Sequence, residues 1–123
     1  MKVEQINVLV LAYLGDTIYE DYIREYLIGL GINNVNDLQK ESIKYVSAKG
    51  QAYYLKMLLD ESFFNDEELS VIKRARNHKC TSHPKNCDII TYKYATSFEA
   101  LIGYLKIQNK IERIREIINK ILY

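Results

Sequence analysis

The sequence has few residues that interrupt helices, with one proline and five glycines among 123 positions. Tight turns, which rely on these residues, are therefore few, and alternation of apolar and polar residues typical of strands is weak. A chain of this length buries enough apolar surface for one core. We therefore expect an all-α fold, organised as a single domain over residues 1–123.

Cysteine is also scarce, and two thiols do not make a disulfide framework. No apolar run reaches the ~18 residues that a membrane-spanning helix needs. No secretory h-region follows the N-terminus. These absences predict a cytoplasmic protein with no membrane association.

The two cysteines, Cys80 and Cys87, lie beside His78 and His83 in one polar segment. This order raises the hypothesis of a zinc site. The spacing matches no standard Cys/His zinc finger, so thiols without a metal in a polar loop are the favoured interpretation.

Positive charge is concentrated in one segment, although the net charge of the chain is only +1. No acid occurs between Glu68 and Asp88, where five cations fall, whereas residues 60–68 hold five acids. Such asymmetry indicates an anionic partner such as phosphate. A solvated helix end explains it equally, because cations near a helix C-terminus complement the helix dipole.

Apolar periodicity and capping residues predict helices along most of the chain. The expected ranges are 3–28, 37–59 with a break near Gly50, 66–77, 89–108 and 110–123. The expected N-caps are Asn36, Asn65 and Asp88. Four tyrosines fall on apolar stripes, so we expect them to pack in the core: Tyr13, Tyr22, Tyr26 and Tyr54.

Two apolar stretches each contain one carboxylate that stands out. Residues 6–18 are apolar almost all round, which predicts a helix in the middle of the core, and Asp16 interrupts them. Residues 95–105 have the same character, with Glu99 as their one acid. A carboxylate buried without a partner costs several kcal/mol or takes up a proton. We therefore expect the two acids to form a paired site.

A pair of carboxylates suits Mg²⁺, which prefers oxygen ligands and keeps several waters. A bound Mg²⁺ can activate water and stabilise the displacement of a phosphoryl group. The structural alternative is also open from the residues alone. Asp16 could cap a buried amide or pair with an interior arginine, and Glu99 could pair with a surface lysine.

The segment from Leu11 to Glu20 resembles the signature helix of the ribonuclease III catalytic domain, whose core is Leu-Gly-Asp. Residues 98–103, Phe-Glu-Ala-Leu-Ile-Gly, resemble the second acidic helix of that domain. The chain is further similar to Mini-ribonuclease III, the short bacterial branch without a double-stranded-RNA-binding domain. The segments that carry this similarity are 46–52, 74–77, 84–86 and 91–99.

The resemblance implies a ribonuclease III-like helical endonuclease that acts as a homodimer and cleaves double-stranded RNA with Mg²⁺, for which Mn²⁺ can substitute. Asp16 matches the essential aspartate of the family, and Glu99 matches its metal-ligating glutamate. The implied task is maturation of the ends of the large-subunit (23S) ribosomal RNA precursor, in which a ribosomal protein could act as a helper. The apolar half of the first helix is the expected dimer seam.

Two positions depart from the larger ribonuclease III enzymes, since Ala12 stands where they carry Glu and Thr96 where they carry Asp. A metal would then have fewer protein ligands, and the number of ions stays open. The departures also keep open a non-catalytic dimeric RNA-binding or assembly module with the same fold.

A chain without a separate RNA-binding domain must hold the duplex itself, through its shape and its phosphates. The basic segment supplies most of the expected contacts. They are Lys49, Arg74, Arg76, Asn77, Lys79, Lys85 and Asn86.

Overall fold

A computed structural model describes residues 2–79, 85 and 87–123, and these residues form six α-helices and no β-strand. The all-α expectation is confirmed. No helix in this part of the chain is long and apolar enough to cross a membrane. The helices are α1 (Val8–Gly29), α2 (Val35–Val46), α3 (Ala48–Asp60), α4 (Asp66–Arg76), α5 (Ile89–Ile107) and α6 (Ile111–Leu122).

Polar side chains determine where the helices begin, because they accept hydrogen bonds from backbone N–H groups of the first turn. Asn65 and Asp88 cap α4 and α5 as expected, and Asn65 forms a reciprocal capping box with Glu68. Helix α1 begins later than expected. Asn7 is its cap and accepts a hydrogen bond from the N–H of Leu9 at 2.8 Å, after a 3-10 turn at Val3–Gln5.

For the second helix the expected N-cap is wrong, whereas the expected break near Gly50 is present. Its N-cap is Asn34 rather than Asn36, because Oδ1 of Asn34 accepts a first-turn N–H at 3.2 Å. The break falls at Ser47, which ends α2 and caps α3 by accepting the N–H of Gly50 at 3.0 Å. Gly50 has another role there, since a Cβ at this position would overlap the carbonyl oxygen of Lys44.

Helix α5 lies at the centre of the fold, packed against α1, α3, α4 and α6. Every residue from Ala95 to Leu105 is buried except Glu99, which is half-buried. The apolar character of α5 on all sides therefore has a simple cause, since this helix has protein on nearly every face.

One face of α1 is exposed, so the expectation that residues 6–18 lie in the middle of the core is wrong for that face. The opposite face, with Leu11, Tyr19 and Ile23, is fully buried. The expectation that four tyrosines pack in the core agrees with the structure for Tyr22, Tyr26 and Tyr54, which pack at the margin of the core. It is wrong for Tyr13, which does not pack there. Within residues 6–18 the exposed apolar side chains are Leu9, Val10 and Tyr13, which are 44%, 58% and 84% exposed.

A buried ion pair fixes α4 against α6. Glu68 is 2% exposed and accepts hydrogen bonds from Nε and Nη2 of Arg113 at 2.8 and 2.9 Å. Nη2 also donates to the carbonyl oxygen of Phe63 at 2.8 Å, and the guanidinium lies over the Phe63 ring at 4.4 Å. These contacts offset the loss of hydration of the two buried charges.

Candidate active site

The two acids meet where α1 crosses α5 with their backbones in contact. A Cβ at Gly15 would overlap the carbonyl oxygen of Glu99, and a Cβ at Gly103 would overlap the carbonyl oxygen of Leu11. The crossing therefore requires glycine on both helices. Asp16 follows Gly15 directly, and Glu99 lies one helical turn before Gly103. This close approach brings both half-buried carboxyl groups to the same side of the crossing.

The two carboxyl groups interact strongly in the absence of a cation. The pKa of Glu99 is raised to about 8, first by burial and then by a hydrogen bond to Asp16 and by the charge of Asp16. The charge of Glu20 adds to this shift, whereas a hydrogen bond from Gln51 opposes it. Two carboxyl groups can share a hydrogen bond only when one carries a proton. Glu99 is therefore largely protonated at neutral pH when no cation is bound.

Gln51 is a member of this site that sequence reasoning missed. It lies on α3, is 2% exposed, and its Nε2 donates to the carbonyl oxygen of Val46 at 3.2 Å and to Oε2 of Glu99 at 3.5 Å. Its Oε1 is buried without a hydrogen-bond partner. The sequence did hold a signal, because Gln51 falls on the buried face of α3 with Leu55 and Leu58.

The described residues contain no group of three His, Cys, Asp or Glu side chains placed to hold a metal ion. Glu20, one turn after Asp16, is half-buried and pairs with Arg24 at 3.3 Å. The protein therefore brings two carboxyl groups together, and the amide of Gln51 is the third oxygen-bearing side chain beside them.

Arg76, one of the predicted basic contacts on α4, lies beside an aromatic ring. Arg76 is half-buried, with its guanidinium 5.7 Å from the centre of the Tyr94 ring. Lys56 of α3, which sequence reasoning missed, lies over the same ring with its Nζ at 4.7 Å. Tyr94 stands on α5 five positions before Glu99. The Tyr94 ring thus lies close to one cation from α3 and one from α4, and it stands on α5, the helix that carries Glu99.

Arg74 has a different environment, although it is two residues from Arg76. Its Nη1 donates to the carbonyl oxygen of Glu4 at 2.8 Å. It lines a cleft of about 260 Å³ with Glu67, Ser70 and Tyr104 among its other walls. An RNA contact by Arg74 stays a prediction, and it would compete with this intramolecular hydrogen bond.

The remaining predicted contacts lie at helix ends and in the following loop. Lys49 is exposed in the first turn of α3, and Asn77 is the C-cap of α4. Lys79 and Lys85 are exposed, whereas Asn86 lies outside the described residues. The zinc hypothesis stays a prediction, because Cys80 and His83 also lie outside the described residues.

Comparison with known proteins identifies the family of the chain. The family model of the ribonuclease III domain matches residues 9–110, which include the whole α1–α5 crossing. The chain belongs to the ribonuclease III family. Members of this family act on double-stranded RNA, and they generally depend on divalent metal ions. The chain is therefore an endoribonuclease, which favours the nuclease expectation over a non-catalytic module.

Similar proteins support this assignment along nearly the full chain. Mini-ribonuclease 3 of Enterococcus faecalis is 46% identical over 116 residues, which cover 94% of this chain and 88% of that protein. Mini-ribonuclease 3 of Brevibacillus brevis is 50% identical over 114 residues, covering 93% and 84%. An X-ray structure of a Fusobacterium nucleatum protein superimposes with a TM-score of 0.88 at 34% identity, covering 98% of each chain.

Proposed function

We propose that this ribonuclease III-family enzyme cleaves double-stranded RNA with Mg²⁺ held by Asp16 and Glu99. The observation that carries the proposal is the contact between these two carboxyl groups, which together with burial of Glu99 raises the pKa of Glu99. Two carboxyl groups in contact repel each other once both are ionised, and a divalent cation between them reverses that interaction.

The donor set at the crossing fits a hard divalent cation. Asp16 and Glu99 supply carboxylate oxygens, and beside them Gln51 has a buried Oε1 without a hydrogen-bond donor, which fits the waters that such an ion keeps. Such oxygen ligands suit Mg²⁺ and also Mn²⁺. The bound ion would activate water and stabilise charge on the scissile phosphate. Waters and phosphate oxygens of the RNA complete the coordination shell in this proposal.

The residues of the chain then have separate tasks. Glu99 gives up its carboxyl proton when a cation binds, because only the ionised form is a good ligand. Gly15 and Gly103 keep Asp16 and Glu99 together by letting the two helix backbones touch. The described residues hold no cluster of three His, Cys, Asp or Glu side chains, and no side chain is assigned here as general base.

The RNA-binding surface in this proposal combines the predicted contacts with the cluster around Tyr94. Lys49, Tyr53 and Lys56 are exposed along one face of α3, at the spacing of successive helical turns. Arg76 joins Lys56 through the Tyr94 ring. Cations of this kind bind phosphates and position the duplex, while the A-form groove is read by shape.

We further propose a homodimer in which the exposed apolar face of α1 is buried. Leu9, Val10 and Tyr13 are adjacent on this face and together expose a large apolar area for a domain of this size. Two copies would present two acid pairs to one duplex, one for each strand. The large-subunit ribosomal RNA precursor as substrate, and a ribosomal-protein helper, are proposals that rest on the family resemblance.

The decisive experiment for the metal proposal is Asp16→Asn, with Asp21→Asn as the matched control. Asp21 is an exposed aspartate on the same helix. We expect Asp16→Asn to abolish Mg²⁺-dependent cleavage of a long RNA duplex while RNA binding and folding persist. Asp21→Asn should cut as the wild type does. Cleavage by the Asp16→Asn protein at the wild-type rate would refute the proposed site.

A further inference from the structure

We propose that Gln51 is a positioning residue that holds the Glu99 carboxylate in its metal-binding orientation from outside the α1–α5 pair. This inference rests on the proposed function, because it concerns the same acidic site. The family assignment does not imply it, and it follows from three features of the Gln51 side chain: its donors, its rigid support and its unpartnered Oε1.

The first feature is how Gln51 uses its amide nitrogen. Nε2 has two N–H donors, and the structure gives it two acceptors, the carbonyl oxygen of Val46 and Oε2 of Glu99. The reverse orientation of the amide would place Oε1 against the carbonyl oxygen of Val46, which is repulsive. The hydrogen-bond pattern therefore fixes the amide with its donors toward Glu99.

The second feature is the rigidity of the support. The bond to Val46 ties the amide to the last turn of α2, and the cap at Ser47 fixes the join between α2 and α3. Gly50, the preceding residue, touches the backbone of Lys44, so α3 has little freedom to shift against α2. A side chain that is 2% exposed and bonded at a rigid corner can hold a carboxylate in one orientation.

The third feature is the unpartnered Oε1, which is buried in the absence of a cation. A buried acceptor without a donor destabilises the folded state. Its presence beside Glu99 is expected if the site is completed by a hydrated cation, whose waters carry O–H donors. An apolar residue at this position would fill the same space without this penalty, so packing alone does not explain a glutamine.

The test measures Mn²⁺ binding to the RNA-free protein by electron paramagnetic resonance, comparing wild type with Gln51→Met. Methionine keeps the length of the side chain and removes both donors. We expect the affinity for Mn²⁺ to fall by about 10- to 100-fold, the usual effect of losing a residue that orients a metal ligand. Saturating Mn²⁺ should restore kcat, because both carboxylates remain, and KM for RNA should not change.

Gln108→Met is the matched control. Gln108 also donates from Nε2 to a carboxylate, Oε1 of Glu67 at 3.3 Å, and its Oε1 is likewise buried without a partner. It lies at the C-cap of α5, away from the acid pair. The control should bind Mn²⁺ as the wild type does, which separates a role at Glu99 from a general effect of losing a buried amide.

Wild-type Mn²⁺ affinity in Gln51→Met, or an equal loss in Gln108→Met, would overturn the inference. If Gln51→Met does not fold, Gln51→Asn decides, since its shorter side chain cannot span Val46 and Glu99 and should lose affinity in the same way. Asp16→Asn separates this inference from the proposed function. If Asp16→Asn loses Mn²⁺ binding while the Gln51 variants bind normally, only the role of Gln51 is refuted. If Asp16→Asn binds Mn²⁺ normally, the metal site itself is refuted.

Discussion

Replacing Glu99 with glutamine should change how the stability of the metal-free protein depends on pH. The pKa of Glu99 is raised from 4.5 to about 8, by burial first and by Asp16 second. The folded state therefore binds a proton that the unfolded state releases between these two values, so wild-type stability falls as pH rises through this window. Glutamine resembles the protonated acid and cannot ionise, so Glu99→Gln should lack this loss.

The size of the effect follows from the shift itself. A raised pKa of this magnitude corresponds to roughly 5 kcal/mol of stability lost by the time Glu99 is fully ionised. Water entry around the ionised group reduces this value, and we expect a difference of about 2–5 kcal/mol between the two proteins at high pH. Below the ordinary pKa of glutamate the two proteins should have nearly equal stability.

The assay is urea unfolding in the presence of a chelator at a series of pH values and at one protein concentration. The difference in unfolding free energy between wild type and Glu99→Gln isolates Glu99, because the other groups titrate in both proteins. Saturating Mg²⁺ should remove most of the wild-type loss, since the cation binds the ionised form of the folded protein. It should leave Glu99→Gln nearly unchanged.

Glu67→Gln is a control of opposite sign. Hydrogen bonds from Tyr104 and then Gln108 lower the pKa of Glu67, so its contribution is present above its ordinary pKa and is lost as pH falls. The stability difference between Glu67→Gln and wild type should thus be present at neutral pH and disappear at acidic pH. Parallel stability profiles for wild type and Glu99→Gln between pH 5 and 8 would refute the contact between the two acids.

Three further predictions concern the RNA surface, the helix crossing and the dimer. Arg76→Ala should weaken binding of duplex RNA and reduce the slope of log affinity against log salt by about 1, and an unchanged slope would remove Arg76 from the interface. Gly15→Ala should destabilise the protein by about 1–3 kcal/mol and lower the cleavage rate, because the added methyl group would separate α1 from α5. Gly29→Ala should be tolerated, since nothing lies within 4 Å of the added carbon. Val10→Asp should yield monomers in sedimentation velocity while Ile43→Asp, at an equally exposed position, should not, and equal behaviour of the two would argue against a seam on α1.

The helices and the identity of the two acids were accessible from the sequence because they depend on local patterns. Asn65 and Asp88 are residues that favour the N-cap and stand directly before stretches with helical periodicity, so their capping roles were predictable. The start of α2 was not, since neighbouring asparagines compete for the cap and only the folded backbone decides between them. The exposure of Tyr13 was also hidden, because an apolar residue facing solvent has the same sequence pattern as one facing the core.

The site was predictable in its acids and not in its other members. Burial of two apolar stretches implied that Asp16 and Glu99 would need compensation, and the fold does bring them together. Gln51 and Lys56 come from α3, and their place beside Glu99 and Tyr94 depends on how α3 packs against α5. No local spacing reports a contact of this kind, which joins residues 48 positions apart in the case of Gln51.

The small number of acids at the crossing has a physical explanation in the metal-free state. Ala12 and Thr96 stand where the larger ribonuclease III enzymes that the sequence resembles carry Glu and Asp, and both are buried here, at 7% and 8% exposure. Each lies within one helical turn of Asp16 or Glu99, and a further carboxylate there would add repulsion to the burial and the Asp16 contact that already raise the pKa of Glu99 to about 8. The chain thereby avoids a larger loss of stability without metal, and in the proposed metal site more of the coordination shell would come from water and RNA. Its metal affinity should consequently depend on the presence of the substrate more than that of an enzyme with four carboxylates would.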